Sequence, residues 1–314
     1  MRRLLLITGP TATGKTILGI KLAKEFNGEI VSADSRQIYK GLNIGTGKDL
    51  PKNAVYCDGY YLVDGVKIWL YDVVEPKTRF SAGEYAKLAR KTIEKVIKQG
   101  RLPIVVGGTG FYIKALLGEQ ILSSVDADWE LRSKLEQLSI EKLRDKLKNL
   151  DSKRLEQMNN SDKQNPRRLV RAIEIATATT AKESVVKSSS SYDVLKIGLK
   201  ADLGNLYRKI DKRVDKRYKK GIVDEIRELI KDGCSWDDAG FNSLGYKQWR
   251  GYLEGEETVM GVLQSWKYAE HGYARRQLTY FKKDKDIIWF DSSQQNIQEA
   301  VGEKVRRWYD GVDN

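Results

Sequence analysis

The sequence contains few cysteines and no long apolar run. Its two cysteines, Cys57 and Cys234, cannot build a disulfide framework or a cysteine-based zinc site, so we expect a protein of the reducing cytoplasm. The apolar run at residues 4–7 ends after four residues at a glycine-rich turn. This run is too short for an export signal or a membrane span, and we expect no membrane partner.

The charge balance is strongly basic. Lysine and arginine number 56 against 43 aspartate and glutamate residues, which gives a formal net charge of +13. An excess of this size favours a polyanionic partner such as a nucleic acid, although a basic surface can also serve solubility alone. A length of 314 residues predicts two domains or one elaborated domain.

A phosphate-binding loop follows the first predicted strand and begins the first predicted helix. Its pattern is G-x-x-x-x-G-K-[ST], whose backbone amides bind phosphate oxygens at a helix N-terminus. The lysine of such a loop adds a positive charge, and the following hydroxyl can ligate Mg²⁺. The residues are Gly9, Pro10, Thr11, Ala12, Thr13, Gly14, Lys15 and Thr16.

The usual acidic partner of this loop is missing. P-loop nucleotidases carry a carboxylate at the end of a second apolar strand, whereas residues 104–106 continue into Gly107 and Gly108. We interpret Asp72, the other candidate, as a solvated carboxylate of a hairpin that turns at Asp64 and Gly65. The loop is therefore expected to bind a diphosphate without hydrolysing a nucleotide.

Asp34 follows the second predicted strand, at residues 29–32. Because neighbouring strands of an open α/β sheet end in one crevice, this carboxylate should lie beside the bound phosphates. A negative group in that position suits a general base. The alternative is an aspartate that only forms a turn.

Strands and helices alternate along most of the chain, which predicts an α/β fold with a P-loop doubly wound parallel sheet. Residues 123–165 carry a charged helical pattern with no strand candidate, so we predict an inserted helical subdomain there. The core would then consist of residues 1–122 and 166–314. Ser81 with Glu84 and Asn165 with Pro166 are helix-start signals.

Several motifs, taken in order, resemble the tRNA dimethylallyltransferase family. They span most of the chain, from the first strand to Trp289. The motifs are residues 9–16, residues 34–48, residues 107–112, Asn165-Pro166-Arg167-Arg168, Arg213-Val214-Asp215 with Gly221, Gly245-Tyr246-Lys247-Gln248, and residues 273–279. The chain departs from the family pattern at Leu203 and Lys209, where the family usually has arginine, and at Tyr60 and Tyr61, where it has a histidine pair.

The resemblance implies transfer of a dimethylallyl group from its diphosphate to N6 of adenosine 37, in tRNAs that read codons beginning with U. It implies Mg²⁺ as cofactor, bound by Thr16, and a monomer that binds the tRNA anticodon stem-loop. The implied catalytic residues are Asp34 as base, Thr11, Lys15 and Arg213. The implied tRNA-binding residues are Asp34, Ser35, Arg36, Gln37, Thr109, Arg132, Gln164, Arg167, Arg168, Arg171, Gly245, Tyr246, Lys247, Arg275, Arg276 and Gln277.

Three other functions share parts of this pattern. A P-loop kinase for a small alcohol or nucleoside would have the same first motif and fold. An enzyme that prenylates free adenine nucleotides would not need the basic residues beyond the crevice. A non-catalytic RNA-binding module would leave Lys15, Thr16 and Asp34 unexplained as a set.

Overall fold

Strands and helices alternate along the chain, as the apolar runs predict. A computed structural model describes residues 2–48, 50–51, 53–118, 125, 127–178 and 192–312. The chain divides into two units, the first formed by Met1–Leu116 with Ser191–Asn314 and the second by Leu117–Ser190. Within the described residues, no helix has the length and apolar character needed to cross a membrane.

The helices and strands are numbered in chain order. The first unit begins with β1 (Arg2–Thr8), α1 (Lys15–Glu25), β2 (Gly28–Ser32), β3 (Val55–Cys57), β4 (Tyr60–Val63), β5 (Val66–Trp69), α2 (Ala82–Lys98), β6 (Leu102–Val106) and α3 (Gly110–Leu117). The second contains α4 (Trp129–Leu135), α5 (Ile140–Leu150), α6 (Ser152–Gln157), α7 (Asn160–Lys163) and α8 (Pro166–Ala178). The first then resumes with β7 (Tyr192–Lys200), α9 (Leu203–Lys219), α10 (Ile222–Lys231), α11 (Arg250–Leu253), α12 (Val259–Phe281), β8 (Ile288–Asp291) and α13 (Ile297–Asp310).

The described strands form one sheet in the order β3-β4-β5-β2-β6-β1-β7-β8. The six strands from β5 to β8 in this order run parallel to one another, which confirms the predicted doubly wound parallel sheet. After β1 the chain moves to β2 on one side, and after β6 it moves to β7 on the other. Such a reversal opens a crevice at the carboxyl ends of the central strands, where ligands of α/β proteins bind.

An antiparallel hairpin extends the sheet beyond β5. β4 pairs with β5, and the turn between them is formed by Asp64 and Gly65, both with positive φ. This pair of residues suits a two-residue hairpin turn, so the predicted hairpin is confirmed. The sequence did not predict β3, whose three residues pair with β4 at the edge of the sheet.

The second unit is built from helices around its own apolar core. Leu143 and Leu147 of α5 are fully buried against Leu169 and Ile173 of α8. The unit therefore continues through α8, whereas the predicted insertion ended at residue 165, because α8 directs its apolar face into this core. The predicted start of the insertion at residue 123 lies outside the described residues.

The packing of α5 supplies a stability test for the second unit. Leu147→Ala should lower the free energy of unfolding by about 2–5 kcal/mol, because it removes a buried side chain and leaves a cavity. Hydrogen exchange of the amides in α5 and α8 should accelerate accordingly. Leu150→Ala is the matched control on the same helix, since Leu150 is 48% exposed and Leu147 is 0% exposed. Equal effects of the two substitutions would contradict the assignment of this core.

Candidate active site

The phosphate-binding loop connects β1 to α1, as its sequence predicts. Gly14 precedes α1 with a left-handed backbone at φ 85°, a conformation that glycine adopts without strain. Ala12 also has a positive φ, of 63°. Left-handed residues within such a loop turn successive backbone amides toward one centre, and α1 adds the positive end of its dipole. The loop is thus suited to bind phosphate oxygens.

Lys15 lies half-buried at the start of α1. Its Nζ donates a hydrogen bond to the backbone oxygen of Pro10 at 2.7 Å. Burial lowers the pKa of Lys15 to about 7, and the charges of Arg213 and Arg36 act in the same direction, against the attraction of Asp34. Without an anion, this ammonium group is therefore poorly stabilised, and a bound diphosphate would restore its charge.

Asp34 lies just beyond the carboxyl end of β2. One of its carboxylate oxygens accepts a hydrogen bond from the backbone amide of Arg36 at 3.0 Å, and its side chain is 18% exposed. The loop after the neighbouring strand β6 holds this turn, because the hydroxyl of Thr109 accepts from the amide of Ser35 at 3.0 Å. The crevice predicted from the strand order thus brings Asp34 into electrostatic contact with Lys15.

The other two predicted catalytic residues meet directly. Nη1 of Arg213, from α9, donates to the hydroxyl of Thr11 at 3.1 Å. The amide of Thr11 donates to the side-chain oxygen of Gln277, whose nitrogen donates to the backbone oxygen of Gly108, both at 2.9 Å. Gln277 was predicted to contact tRNA, but it is buried and connects the phosphate-binding loop to the loop after β6.

A second group of charges lies next to Asp34. Arg36 and Arg217 both donate to Oε1 of Glu270, at 3.2 and 3.3 Å, and the Glu270 side chain is 3% exposed. Burial alone would raise the pKa of Glu270, but the charges of the two arginines hold it below its ordinary value. Glu270 and its contact with Arg217 were not predicted from the sequence. The signal was present, because Glu270 lies on the buried face of α12, four residues from Trp266 and from Ala274.

The loop at residues 43–47 is held by a carboxylate from α10. Glu225 accepts hydrogen bonds from the amide of Ile44 at 3.0 Å and from the hydroxyl of Tyr246 at 2.6 Å. Tyr246 is fully buried, and its hydroxyl also accepts from the amide of Gly45 at 3.2 Å. Tyr246, predicted to contact tRNA, thus contacts this loop, and its neighbour Gly245 is buried as well.

Asp72 is not the solvated carboxylate that the sequence suggested. It accepts from the buried ammonium group of Lys48 and from the hydroxyl of Tyr61, the latter at 2.6 Å. Its amide donates to the backbone oxygen of Gln37 at 3.2 Å. Gln37 in turn donates through Nε2 to the oxygen of Gly47 at 3.2 Å. Asp72 therefore supports the segment that follows Asp34.

The remaining candidates for tRNA contacts differ in exposure, and three of the arginines among them pair with carboxylates. Arg132 and Arg171 in the second unit both bind the buried carboxylate of Glu174, and Arg168 pairs with Asp162. These pairs give Arg132 and Arg171 a structural role within the unit. The exposed candidates in the second unit are Gln164, Arg167 and Arg168, and those in the first are Lys247, Arg275 and Arg276.

The metal-binding capacity of the site depends on the substrate. Within the described residues, no group of three His, Cys, Asp or Glu side chains could hold a metal ion. Thr16 follows Lys15 at the first turn of α1 and offers one hydroxyl oxygen. Mg²⁺ commonly retains water and binds through one or two protein ligands together with substrate phosphates. The residues present therefore fit a Mg²⁺ ion that arrives with a diphosphate.

The chain is similar to known proteins over nearly its whole length. A model of the IPP transferase family matches residues 37–284. The tRNA dimethylallyltransferase of Acetivibrio thermocellus is 38% identical over 310 residues, which cover 96% of this chain and 95% of that protein. The corresponding protein of Carboxydothermus hydrogenoformans is 36% identical over 312 residues, 96% of each chain.

Solved structures give the same result. The full-length tRNA isopentenylpyrophosphate transferase of Bacillus halodurans has a TM-score of 0.70 at 32% identity, with 99% of this chain and 96% of that chain covered. A eukaryotic dimethylallyltransferase acting on tRNA has a TM-score of 0.79 at 21% identity, over 100% of this chain and 80% of its own, and shows the shared fold. The phosphate-binding loop, the neighbouring carboxylate and these likenesses lead to one conclusion: the chain belongs to the IPP transferase family, that of the tRNA dimethylallyltransferases.

Proposed function

We propose that this protein transfers the dimethylallyl group of dimethylallyl diphosphate to N6 of adenosine 37, in tRNAs that read codons beginning with U. The names of the relatives supply the reaction class. The observation that carries the proposal here is the position of Asp34 beside Lys15, at the carboxyl ends of neighbouring strands. A proton acceptor and a diphosphate site thus share one crevice.

The loop would stabilise the leaving group. Its amides and Lys15 would bind the diphosphate. Arg213, whose side chain contacts Thr11 of the loop, would add a further positive charge near the diphosphate. Each such donor lowers the barrier by roughly 3–4 kcal/mol when it meets charge that develops in the transition state. Mg²⁺, held by Thr16 and the diphosphate, would supply further positive charge.

Asp34 would act on the other substrate. N6 of the adenine attacks C1 of the dimethylallyl group, the C1–O bond breaks, and the diphosphate leaves with its electron pair. The proton released from N6 passes to the carboxylate of Asp34. An adenosine stacked in the anticodon loop must first be flipped out, at a cost of a few kcal/mol. The exposed cations Lys247, Arg275, Arg276 and Arg167 would offset part of that cost by binding RNA phosphates.

The proposal includes a monomeric cytoplasmic enzyme. Thr11, Lys15, Asp34 and Arg213 belong to one unit of one chain, which supports a site complete within the monomer. The two cysteines are both unpaired, in keeping with a reducing compartment.

The direct test is incubation of the protein with an anticodon stem-loop RNA, dimethylallyl diphosphate and Mg²⁺, followed by mass analysis of the nucleosides. We expect adenosine 37 to carry one dimethylallyl group and inorganic diphosphate to accumulate. Formation of ADP from ATP would instead indicate a kinase, and modification of AMP but not RNA would indicate a nucleotide prenyltransferase. Tight RNA binding without any product would indicate a binding module.

Substitution of Asp34 tests its role as the base. Asp34→Asn keeps the shape of the side chain and its acceptor for the Arg36 amide, but it cannot take up the proton. We expect kcat to fall by about 10²–10⁴, with the KM for RNA within about threefold of the wild type. Asp58→Asn, in the exposed turn between β3 and β4, is the control and should retain full activity. Near-normal transfer by Asp34→Asn would exclude the base role.

The lowered pKa of Lys15 predicts a pH dependence of donor binding. The ligand-free protein loses the Lys15 proton as the pH rises through about 7, and only the protonated form attracts the diphosphate. Between pH 7 and 9 the dissociation constant of dimethylallyl diphosphate should therefore rise by about fiftyfold, with proton uptake on binding. Calorimetric titration in buffers of different ionisation enthalpy measures both quantities.

Lys15→Met is the matched variant for this measurement. It should bind the donor weakly, and its dissociation constant should not change over the same pH range. A wild-type affinity that stays constant from pH 7 to 9 would show that Lys15 is fully charged before the donor arrives, contrary to the argument from burial.

A further inference from the structure

Two buried arginines share one carboxylate oxygen next to the proposed base. Nη1 of Arg36 and Nη1 of Arg217 lie 3.2 and 3.3 Å from Oε1 of Glu270. The three side chains are 11%, 6% and 3% exposed, respectively. Two like charges buried around one carboxylate are costly to keep together, and removal of the carboxylate would leave them uncompensated. The mechanism described so far gives Glu270 no role.

Other contacts hold both guanidinium groups in place. Arg36 lies over the ring of Tyr273, with 4.4 Å between its Cζ and the ring centroid. Nη1 of Arg217 donates to the backbone oxygen of Gly45 at 3.3 Å. The Arg217 group also fills the space beside Gly47, where a Cβ atom would lie 1.8 Å from its Nη2, and the positive φ of 65° at this position also favours glycine. The cluster is therefore built by α9, α12 and the loop after β2.

Arg36 lies close to Asp34 but is not hydrogen-bonded to it through its side chain. Its Nε is 3.9 Å from Oδ1 of Asp34, beyond hydrogen-bond distance, and this buried atom has no hydrogen-bond partner among the described residues. A guanidinium group favours a carboxylate that it can meet through two parallel hydrogen bonds. Glu270 competes with Asp34 for this arginine, because its Oε1 accepts a hydrogen bond from Nη1 of Arg36.

We propose that Glu270 is a positioning residue that holds Arg36 away from Asp34. In its absence the Arg36 side chain turns to Asp34, closes the remaining distance and pairs with the carboxylate. A paired Asp34 can no longer receive the proton from the attacking amine. The inference rests on the proposed function, since it assigns Glu270 the task of keeping that base available.

The kinetic test compares single and double variants in the full-length protein. Glu270→Gln should lower kcat by roughly a hundredfold, the contribution of a positioned base, with the KM for RNA changed by less than about threefold. Adding Arg36→Met to Glu270→Gln should restore most of kcat at saturating RNA, because the competing guanidinium is gone, while the KM for RNA rises because Arg36 is also an expected tRNA contact. Glu303→Gln, an exposed glutamate on α13, is the control and should match the wild type. Normal kcat in Glu270→Gln, or a double variant no faster than the single one, would overturn the proposal.

If Glu270→Gln alone does not fold, the comparison of Arg36→Met with the double variant still tests the proposal. Arg36→Met and the double variant should have similar kcat, since Glu270 acts on Asp34 through Arg36, whereas its second partner, Arg217, contacts the loop at residues 43–47. A further loss in the double variant would show that Glu270 has another role and would contradict the proposal.

A crystal structure of Glu270→Gln separates this inference from the proposed function, because it needs no activity. We expect Nε of Arg36 within about 3.0 Å of a carboxylate oxygen of Asp34. An arginine that remains at its present distance would overturn the positioning role, whatever reaction the protein catalyses. Failure of the wild type to prenylate RNA would instead remove the proposed function and leave this structural result to decide the role of Glu270.

Discussion

The coupling of a buried ammonium group to a nearby carboxylate is the constraint on which the site depends. Lys15 is desolvated at the start of α1 and surrounded by further positive charge, while Asp34 provides the opposing negative charge. A bound diphosphate would supply negative charge that stabilises the Lys15 ammonium group, so Asp34 would no longer be its main source of stabilisation. The carboxylate could then serve the second substrate. In the proposed reaction, donor binding and base availability would thus be linked through one electrostatic contact.

The basic residues have a structural use as well as a proposed functional one. Several cations are paired with buried or nearly buried carboxylates: Lys48 with Asp72, and Arg132 and Arg171 with Glu174. Such pairs are costly to break because a buried charge would remain uncompensated. The first pair supports the segment after Asp34, and the contacts of Glu174 lie within the second unit, where Arg132 joins α4 to α8. The exposed arginines of α8 and α12 are the better candidates for phosphate contacts.

Local sequence patterns predicted a large part of this structure. The phosphate loop, the hairpin turn at Asp64 and Gly65, and the capping box of Ser81 and Glu84 depend on residues close in sequence, and each is present. The contacts of Glu270 were not predictable in this way, because its partner Arg36 is 234 residues distant along the chain. The predicted end of the second unit was misplaced for a related reason, since the apolar face of α8 packs against residues of α5, which are distant in sequence. The resemblance to a known family supplied the substrates, which no periodicity could reveal.

The claim that most needs a direct measurement is that the loop of residues 9–16 binds the diphosphate of an isoprenoid. A crystal structure with Mg²⁺ and an unreactive thio analogue of dimethylallyl diphosphate measures this. The account predicts diphosphate oxygens at the loop amides and at Nζ of Lys15, with C1 of the dimethylallyl group facing Asp34. A loop without the analogue, or one that takes ATP from a mixture of the two with its γ-phosphate toward Asp34, would contradict it.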